Sequence, residues 1–441
     1  MTAAERLITD MVRVPSLHGT LAQNDVQDVV RSALTADAVI DDWVPDWSAL
    51  REWTSPLDGR AHYVRLEDDP RYRHVLPKLR CVAATLGAGH PHLVINSHVD
   101  VVTTAPEEKW TGGPFRPRVE DTRLYARGAM DAKGGLAAAV LAFGELARRG
   151  LPRGRVTLLS VPEEETGGNG TLAALHRGHV GDGVVFAEST DLQVVHRHIG
   201  LQLFSVRISG RPGGILRRSW GDSAVTAVGR VLTALHELEL TRTARARLTG
   251  GYDADDLPGF VNPGTVAGGE WLATRAAHGE VHGVMGLLPG ETQAEAEEEL
   301  RAAVTRVCRD IPWFAANPPS VVVPSPGQRG GELPETHRLV QSMLAGAHGS
   351  RGPDLALDLA PDLAPGLPAV RPSRAGTMVC DAKTVQGGGF APSVVFGPVG
   401  GNLHAPDEWV DLLSVERCAQ VLVDGALAFL RSPVPAGREA S

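Results

Sequence analysis

Cysteine is scarce and scattered. The 441-residue chain has four, Cys81, Cys308, Cys380 and Cys418, and their spacing fits neither a CxxC pair nor a zinc ribbon. A disulfide framework is therefore excluded as an organising principle, and a reducing compartment is expected. No run of eighteen apolar residues occurs, which argues against a membrane-spanning helix. The opening MTAAERLITDMVRVPS lacks the basic start, apolar stretch and small-residue cleavage site of a signal peptide, so a cytoplasmic location is expected. Positive charge is in deficit: 43 Lys and Arg stand against 52 Asp and Glu, a net charge of −9. That balance argues against nucleic acid or an anionic membrane as partner. What remains is an ordinary globular composition, 43% hydrophobic and 22% charged, long enough for two or three domains with a sizeable core.

The first 50 residues read as two helices, ERLITDMVRV and QNDVQDVVRSAL, then a short strand, AVIDDWV. From about residue 92 the pattern becomes strand, loop, helix, strand: HLVINSHVDVV, then a helix over 132–150 with a glycine stop, then RVTLLSVP and GVVFAEST. Buried strands alternating with helices predict an α/β fold with a mostly parallel sheet and helices on both faces. Ligands of such sheets bind at the carboxyl ends of the strands. The character changes near residue 199, where LQLFSVRISG alternates apolar and polar residues and a helix, further strands near 263–287 and a second helix follow. This predicts a smaller α+β domain over 199–310, inserted into a larger domain formed by 1–198 and 311–441. The repetitive stretch 354–372, DLALDLAPDLAPGLPAVRP, reads as a surface insertion, and the last ten residues as a frayed tail.

Acidic and histidine residues collect at the predicted strand ends. His98 and Asp100 close one strand, Glu163, Glu164 and Glu165 the next, and Glu188 another; Asp131 opens a helix, and His404 lies far downstream. A lone strand-end histidine is ordinarily a hydrogen-bonded core residue, three glutamates in a row a solvated loop, and Asp131 a helix cap. Taken in order, two histidines and several carboxylates without cysteine form a nitrogen and oxygen ligand set suited to zinc, cobalt or manganese. A carboxylate shared between two metals about 3.5–4 Å apart is the usual core of a two-metal hydrolase.

The ordered segments SHVDVV, LYARGAMDAKGG, VPEEETGGNGT, FAEST and HAPDEWV, with Trp110 and Phe115 between the first two, resemble the M20 metallopeptidases. That group contains acetylornithine deacetylase, succinyl-diaminopimelate desuccinylase, aminoacylase and glutamate carboxypeptidase. The resemblance runs from the first helix to about residue 430, and IDDWVPDWSAL is similar to the deacetylase-type members. It implies an amide hydrolase with two divalent metal ions, zinc with cobalt or manganese as alternatives, and an inserted lid domain through which the chain forms a homodimer. It implies that His98, Asp131 and Glu188 hold one metal and Asp131, Glu165 and His404 the other. Asp100 would orient His98. Glu164 would be the general base, taking a proton from a metal-bridging water that attacks the amide carbonyl. Adjacent residues of a strand face opposite ways, so Glu164 and Glu165 can share the site only on a bend, which the following Thr-Gly-Gly permits. Glu163 is assigned no chemistry, and Trp110 and Phe115 read as packing.

The resemblance breaks in the inserted domain. The family carries there a histidine that stabilises the oxyanion; the matching position is Gly214, and losing one such donor costs about two to three orders of magnitude in rate. Arg217 and Arg218 lie nearby as substitute cations, and His196, His198, His278 and His282 are further candidates. Lys383, in GTMVCDAK, stands where the family has a basic residue able to contact a substrate carboxylate. The sequence thus predicts a hydrolase of an amide bond in a small carboxylate substrate, of N-acyl amino acid deacylase or dipeptidase type. Diversion to amide-bond formation is the alternative. A non-catalytic binder of a small acid is a third reading, against which an intact Glu164 argues. Cys380, with no histidine near it in sequence, reads as a packing residue.

Overall fold

The computed structural model describes residues 1–57, 59–324, 327–349 and 371–433; most of 354–372 and of the C-terminal tail lies outside them. The chain divides into two compact units. The first comprises Met1–His196, Leu333–Arg374 and Cys380–Ser441, and the second Arg197–Glu332 with Ala375–Val379.

In chain order the first unit opens with α1 (Ala3–Val12) and α2 (Ala22–Ser32). The side chain of Thr2 accepts from the Glu5 amide at the start of α1, and Ala4, Ile8, Met11 and Val12 form its buried stripe. The strands β1 (Val39–Trp43), β2 (Cys81–Gly87) and β3 (His92–His98) follow, then α3 (Gly134–Arg149), β4 (Arg155–Val161), α4 (Asn169–His176), β5 (Gly183–Phe186) and β6 (Gln193–His198). The second unit contains β7 (Gly200–Ser209), α5 (Ala224–Arg247), β8 (Val261–Gly268), β9 (His278–Leu287), α6 (Gln293–Arg306) and β10 (Ser320–Val322). The chain returns to the first unit through α7 (Arg338–Gly349), β11 (Ser393–Val395) and α8 (Leu412–Arg431).

The strand order in the main sheet begins β1-β2-β4-β3-β5-β11-β6. The centre, β4-β3-β5-β11, is parallel, as the alternation of buried strands and helices predicts. β2 on one side and β6 on the other run antiparallel to this centre, and β1 pairs antiparallel with β2, so the sheet as a whole is mixed. Every residue of β3 is buried, as a strand covered on both faces must be. α3 and α8 carry much of the covering core, including Leu136, Phe143, Leu146, Val415, Leu422 and Phe429. α7 packs on α8 so closely that a Cβ on Gly346 would lie 2.6 Å from the amide nitrogen of Gly425.

The second unit is a four-stranded antiparallel sheet, β8-β9-β7-β10, with α5 and α6 packed on it. Phe204, Val206, Val231, Leu235, Val281, Leu300 and Phe314 are in its core. It extends past residue 310 because β10 pairs with β7 through Val321 and Val206. A capping box, Thr292 with Glu295, starts α6. No helix of the described residues is long and apolar enough to cross a membrane.

Candidate active site and metal centre

Parallel register assembles the site in the first unit. His98, the last residue of β3, pairs with Val161 of β4, and Asn96 pairs with Phe186 of β5. Two residues beyond those partners lie Glu163, which opens the bend carrying Glu164 and Glu165, and Glu188, so three strand ends converge on one edge. Asp131 arrives on the turn before α3. That helix starts close to the end of β5 because Gly135 has no side chain: a Cβ would stand 1.8 Å from the carbonyl oxygen of Ala187. His404 comes from the segment after β11, in the left-handed conformation with φ 56°.

Asp131 sits between the two histidines. Its Oδ1 lies 2.9 Å from His98 Nε2 and its Oδ2 3.1 Å from His404 Nε2. On the first side Glu188 Oε1 is 3.6 Å from His98 Nε2; on the second Glu165 Oε2 is 3.4 Å from His404 Nε2. His98, Asp131 and Glu165 can each offer one ligand atom within 4.8 Å of the others. Asp100 acts on both sides. Its backbone carbonyl lies 3.0 Å from His98 Nδ1, which turns Nε2 toward Asp131. Its carboxylate oxygens accept from the amides of Glu164 and Glu165, each at 3.1 Å.

The adjacent glutamates do lie on a bend. Thr-Gly-Gly contributes, with the Gly167 amide donating to the carbonyl of Glu164 and that of Gly168 to the carbonyl of Glu163. The turn begins earlier, at Glu163, which has φ 61°. The Glu163 carboxylate is buried and accepts from the Gly19 amide, from Gln23 Nε2 and from Thr166 Oγ1, and so ties the N-terminal segment to the bend. Non-glycine residues persist in this conformation only where their surroundings over-determine it, commonly at active sites.

The electrostatics call for cations. Burial pushes Glu165 up to about 8, with the charge of Asp131 adding to it. Burial also drives Glu188 well above the ordinary carboxylate range and Glu164 to about 7. Burial opposes the charge of Asp131 too, yet the two imidazoles hold it well below the usual range. Hydrogen bonds with Asp131 and Glu165 raise His404 to about 10. At His98 burial disfavours the cation, but Glu188, Asp100 and Asp131 outweigh it and raise the pKa well above the ordinary value. Oε1 of Glu165 is buried with no hydrogen-bond partner. A shared carboxylate, an orphaned carboxylate oxygen and two imidazoles fit a pair of divalent metal ions.

Two residues of this site carry no assignment in the sequence reading. Glu408 is fully buried, and its Oε1 accepts from the amides of Met130 and Asp131 at 2.8 and 3.0 Å. Its Oε2 accepts from the Gly128 amide and from Arg127 Nη1, so this pair holds the turn that presents Asp131. The signal was there, since both residues lie within segments that carry the resemblance. Trp110 packs under the Arg127 guanidinium and donates to the Thr104 carbonyl, while Phe115 is half-buried.

The substrate-binding candidates fare differently. Lys383 is not offered as a free cation; it is buried, with Nζ 3.2 Å from Glu164 Oε1 and 3.5 Å from Asp381 Oδ1. Arg217 and Arg218 belong to the second unit, where the Arg217 guanidinium lies over the Trp220 ring. His282 and His278, on β9, bind the local side chains of Ser205 and Glu270, and His196 the carbonyl of Leu333; His198 is buried. Cys380 is buried and its thiol pushed well up by that burial, as for a packing residue. Gly387–Gly389 form a turn, with the Gly389 amide donating to Gln386. Gly214 pairs with Thr274 in a two-stranded ribbon, and a Cβ there would stand 2.7 Å from Trp220 Cε3.

Known proteins resemble this chain in sequence and in fold. A probable succinyl-diaminopimelate desuccinylase of Staphylococcus aureus (strain MRSA252) is 35% identical over 145 residues, 32% of this chain and 36% of the relative. The N-formyl-4-amino-5-aminomethyl-2-methylpyrimidine deformylase of Bacillus subtilis (strain 168) is 28% identical over 258 residues, 56% of this chain and 59% of the relative. The chain thus matches about a third to three-fifths of the length of these two relatives. Among solved structures, an M20 family metallo-carboxypeptidase from Sulfolobus solfataricus has a TM-score of 0.66 at 16% identity, covering 97% of this chain and 99% of its own. A dinuclear metal-binding M20 peptidase from Bacillus subtilis has a TM-score of 0.60 at 13% identity, with 97% and 98% covered. The model of the peptidase family M20/M25/M40 matches residues 94–428, and the chain belongs to that family.

Proposed function

We propose that the protein hydrolyses the amide bond of a small N-acylated substrate, of the N-acyl amino acid or dipeptide type, with Glu164 as general base. The observation that carries this reading is the two-sided Asp131, with an imidazole and a glutamate on each flank and Glu164 beside them. His98, Asp131 and Glu188 would hold one divalent ion and Asp131, Glu165 and His404 a second, zinc for preference with cobalt or manganese as alternatives. Such ions would supply Lewis-acid chemistry, polarising an amide carbonyl and acidifying a water. Glu164 takes a proton from the attacking water and delivers it to the leaving amine. Burial raises its pKa above the ordinary carboxylate value, and the Lys383 ammonium opposes that rise. Asp100 keeps His98 in the correct tautomer and fixes both glutamate amides. The names of the relatives, a desuccinylase and a deformylase, support a short acyl group. Four buried, unpaired cysteines support a reducing cytoplasm. A homodimer through the inserted unit, in keeping with the family resemblance, belongs to the same proposal.

A second reading, diversion to amide-bond formation, starts from Gly214: with Trp220 against it, this position offers no side chain to an oxyanion. Both directions of acyl transfer pass through the same tetrahedral intermediate, so the missing donor removes the family's usual support without itself choosing the direction. One experiment separates the two. Zinc- or cobalt-loaded protein is incubated with N-formyl, N-acetyl and N-succinyl amino acids and with dipeptides, and amine release is followed by mass spectrometry. Release that is lost in Glu164→Gln, by about two to four orders of magnitude, supports the hydrolase. Silence from a protein carrying two metals per chain overturns it and favours the second reading.

A further inference from the structure

We propose that Lys383 is the positioning residue of the general base: its ammonium, anchored by Asp381, holds Glu164 Oε1 and leaves the other carboxylate oxygen for the reacting proton. The inference rests on the reading of Glu164 as base.

The residues involved form a continuous chain that starts in the central sheet. Asn96 of β3 donates through Nδ2 to Thr171 Oγ1 at 2.9 Å. Thr171, on α4, donates to Asp381 Oδ2 at 2.5 Å. Asp381 Oδ1 lies 3.5 Å from Lys383 Nζ, and Lys383 Nζ donates to Glu164 Oε1 at 3.2 Å. Asn96, Thr171, Asp381 and Lys383 are each 2% exposed or less. The carboxylate of the base is therefore tied to the same strand that ends in His98. The bend itself packs against this anchor. A Cβ at Gly168 would lie 2.2 Å from Asp381 Oδ1 and 2.8 Å from Thr384 Oγ1, so glycine is what lets the bend and the anchor touch.

Burying an ammonium costs several kcal/mol unless carboxylates compensate it closely. Lys383 meets that condition through Glu164 and Asp381, both belonging to the chain. A lysine reserved for a substrate carboxylate would instead keep its ammonium accessible in the free protein. Glu164 is itself buried, and Lys383 is a cation that the chain itself supplies to it. A misplacement of about 1 Å in a reacting group can cost about a hundredfold in rate.

The test uses full-length, metal-loaded Lys383→Met, Lys383→Arg, Glu164→Gln and the Lys383→Met/Glu164→Gln double variant. The substrates are an N-formyl and an N-succinyl amine that share one leaving group. The proposal expects Lys383→Met to keep its metal content and to lose about a hundredfold in kcat, with KM within about twofold for both substrates. In the Glu164→Gln background Lys383→Met adds no further loss. Lys383→Arg restores part of kcat, and a crystal structure of Lys383→Met shows the Glu164 carboxylate displaced. A KM increase confined to the N-succinyl substrate would mean that Lys383 binds substrate and would overturn the proposal. So would an additive loss in the double variant, or a Glu164 that stays in place. If Lys383→Met does not fold, Lys383→Arg decides: it moves the charge, so it must lower kcat without raising KM. A fully active Glu164→Gln sinks the base reading itself; an inactive Glu164→Gln beside a fully active Lys383→Met sinks only the role of Lys383.

Discussion

At the scale of single residues, the site depends as much on the groups that aim the ligands as on the ligands. Glu408 accepts four hydrogen bonds, three from the backbone turn that ends in Asp131 and one from Arg127. Burial pushes Glu408 upward, and the guanidinium of Arg127 opposes that shift. Removing its charge loosens the turn without removing any ligand. Glu408→Gln is expected to weaken metal affinity by about 10- to 100-fold. Competitive titration with a chelating dye measures this, and an unchanged affinity would show that the turn is held without Glu408.

At the scale of elements, β3 begins and ends on a histidine with opposite requirements. His98 gathers carboxylates, whereas the His92 ring is buried with neutral hydrogen-bond partners and has Arg155 and Asp182 near it. His92 Nδ1 lies 3.0 Å from the carbonyl of Val180 and Nε2 2.9 Å from Thr157 Oγ1. Burial lowers His92 from 6.5 to about 3. The unfolded chain binds this proton below about 6.5, while the folded chain refuses it until about 3. Stability from His92 is therefore intact above 6.5 and lost progressively as the pH falls from 6.5 toward 3. Between pH 7 and 5 the loss is about 2 kcal/mol. Urea denaturation of metal-free wild type and His92→Gln at both pH values checks it: the variant should show the smaller pH dependence. The contact of α7 with α8 makes a second case. Gly346→Ala forces a Cβ against the backbone of α8 and should cost about 1–3 kcal/mol. Gly144→Ala, on α3 with open space around it, should stabilise by about 0.5–1 kcal/mol. Equal effects in thermal melts would refute the close approach.

For the whole molecule, buried carboxylates of like charge oppose folding until cations join them. A divalent ion that binds the folded site finds no such arrangement in the unfolded chain, so loading with zinc or cobalt should raise Tm and chelation should lower it. At a free metal concentration about 100 times Kd the gain is about 2.7 kcal/mol per site. Scanning calorimetry with and without chelator measures it, and Asp131→Asn should abolish the difference. An unchanged Tm on loading would argue against the ligand set.

Much of this was legible in the linear chain. Strand-end clusters gave His98, Glu165 and Glu188, because in a parallel sheet the residues just past each strand face a common edge. The ordered motifs added Asp131, Glu164 and His404. Other features required the tertiary structure. Nothing local in DAK reveals that Lys383 turns toward a glutamate 219 positions away, or that Glu408 holds a turn 277 positions upstream. The inserted unit reaches Glu332 rather than residue 310 because β10 pairs with β7, a long-range contact. Periodicity and motif order are local properties, set by backbone geometry and side-chain type. Which charge compensates which is decided by burial, and burial exists only once the whole chain has packed.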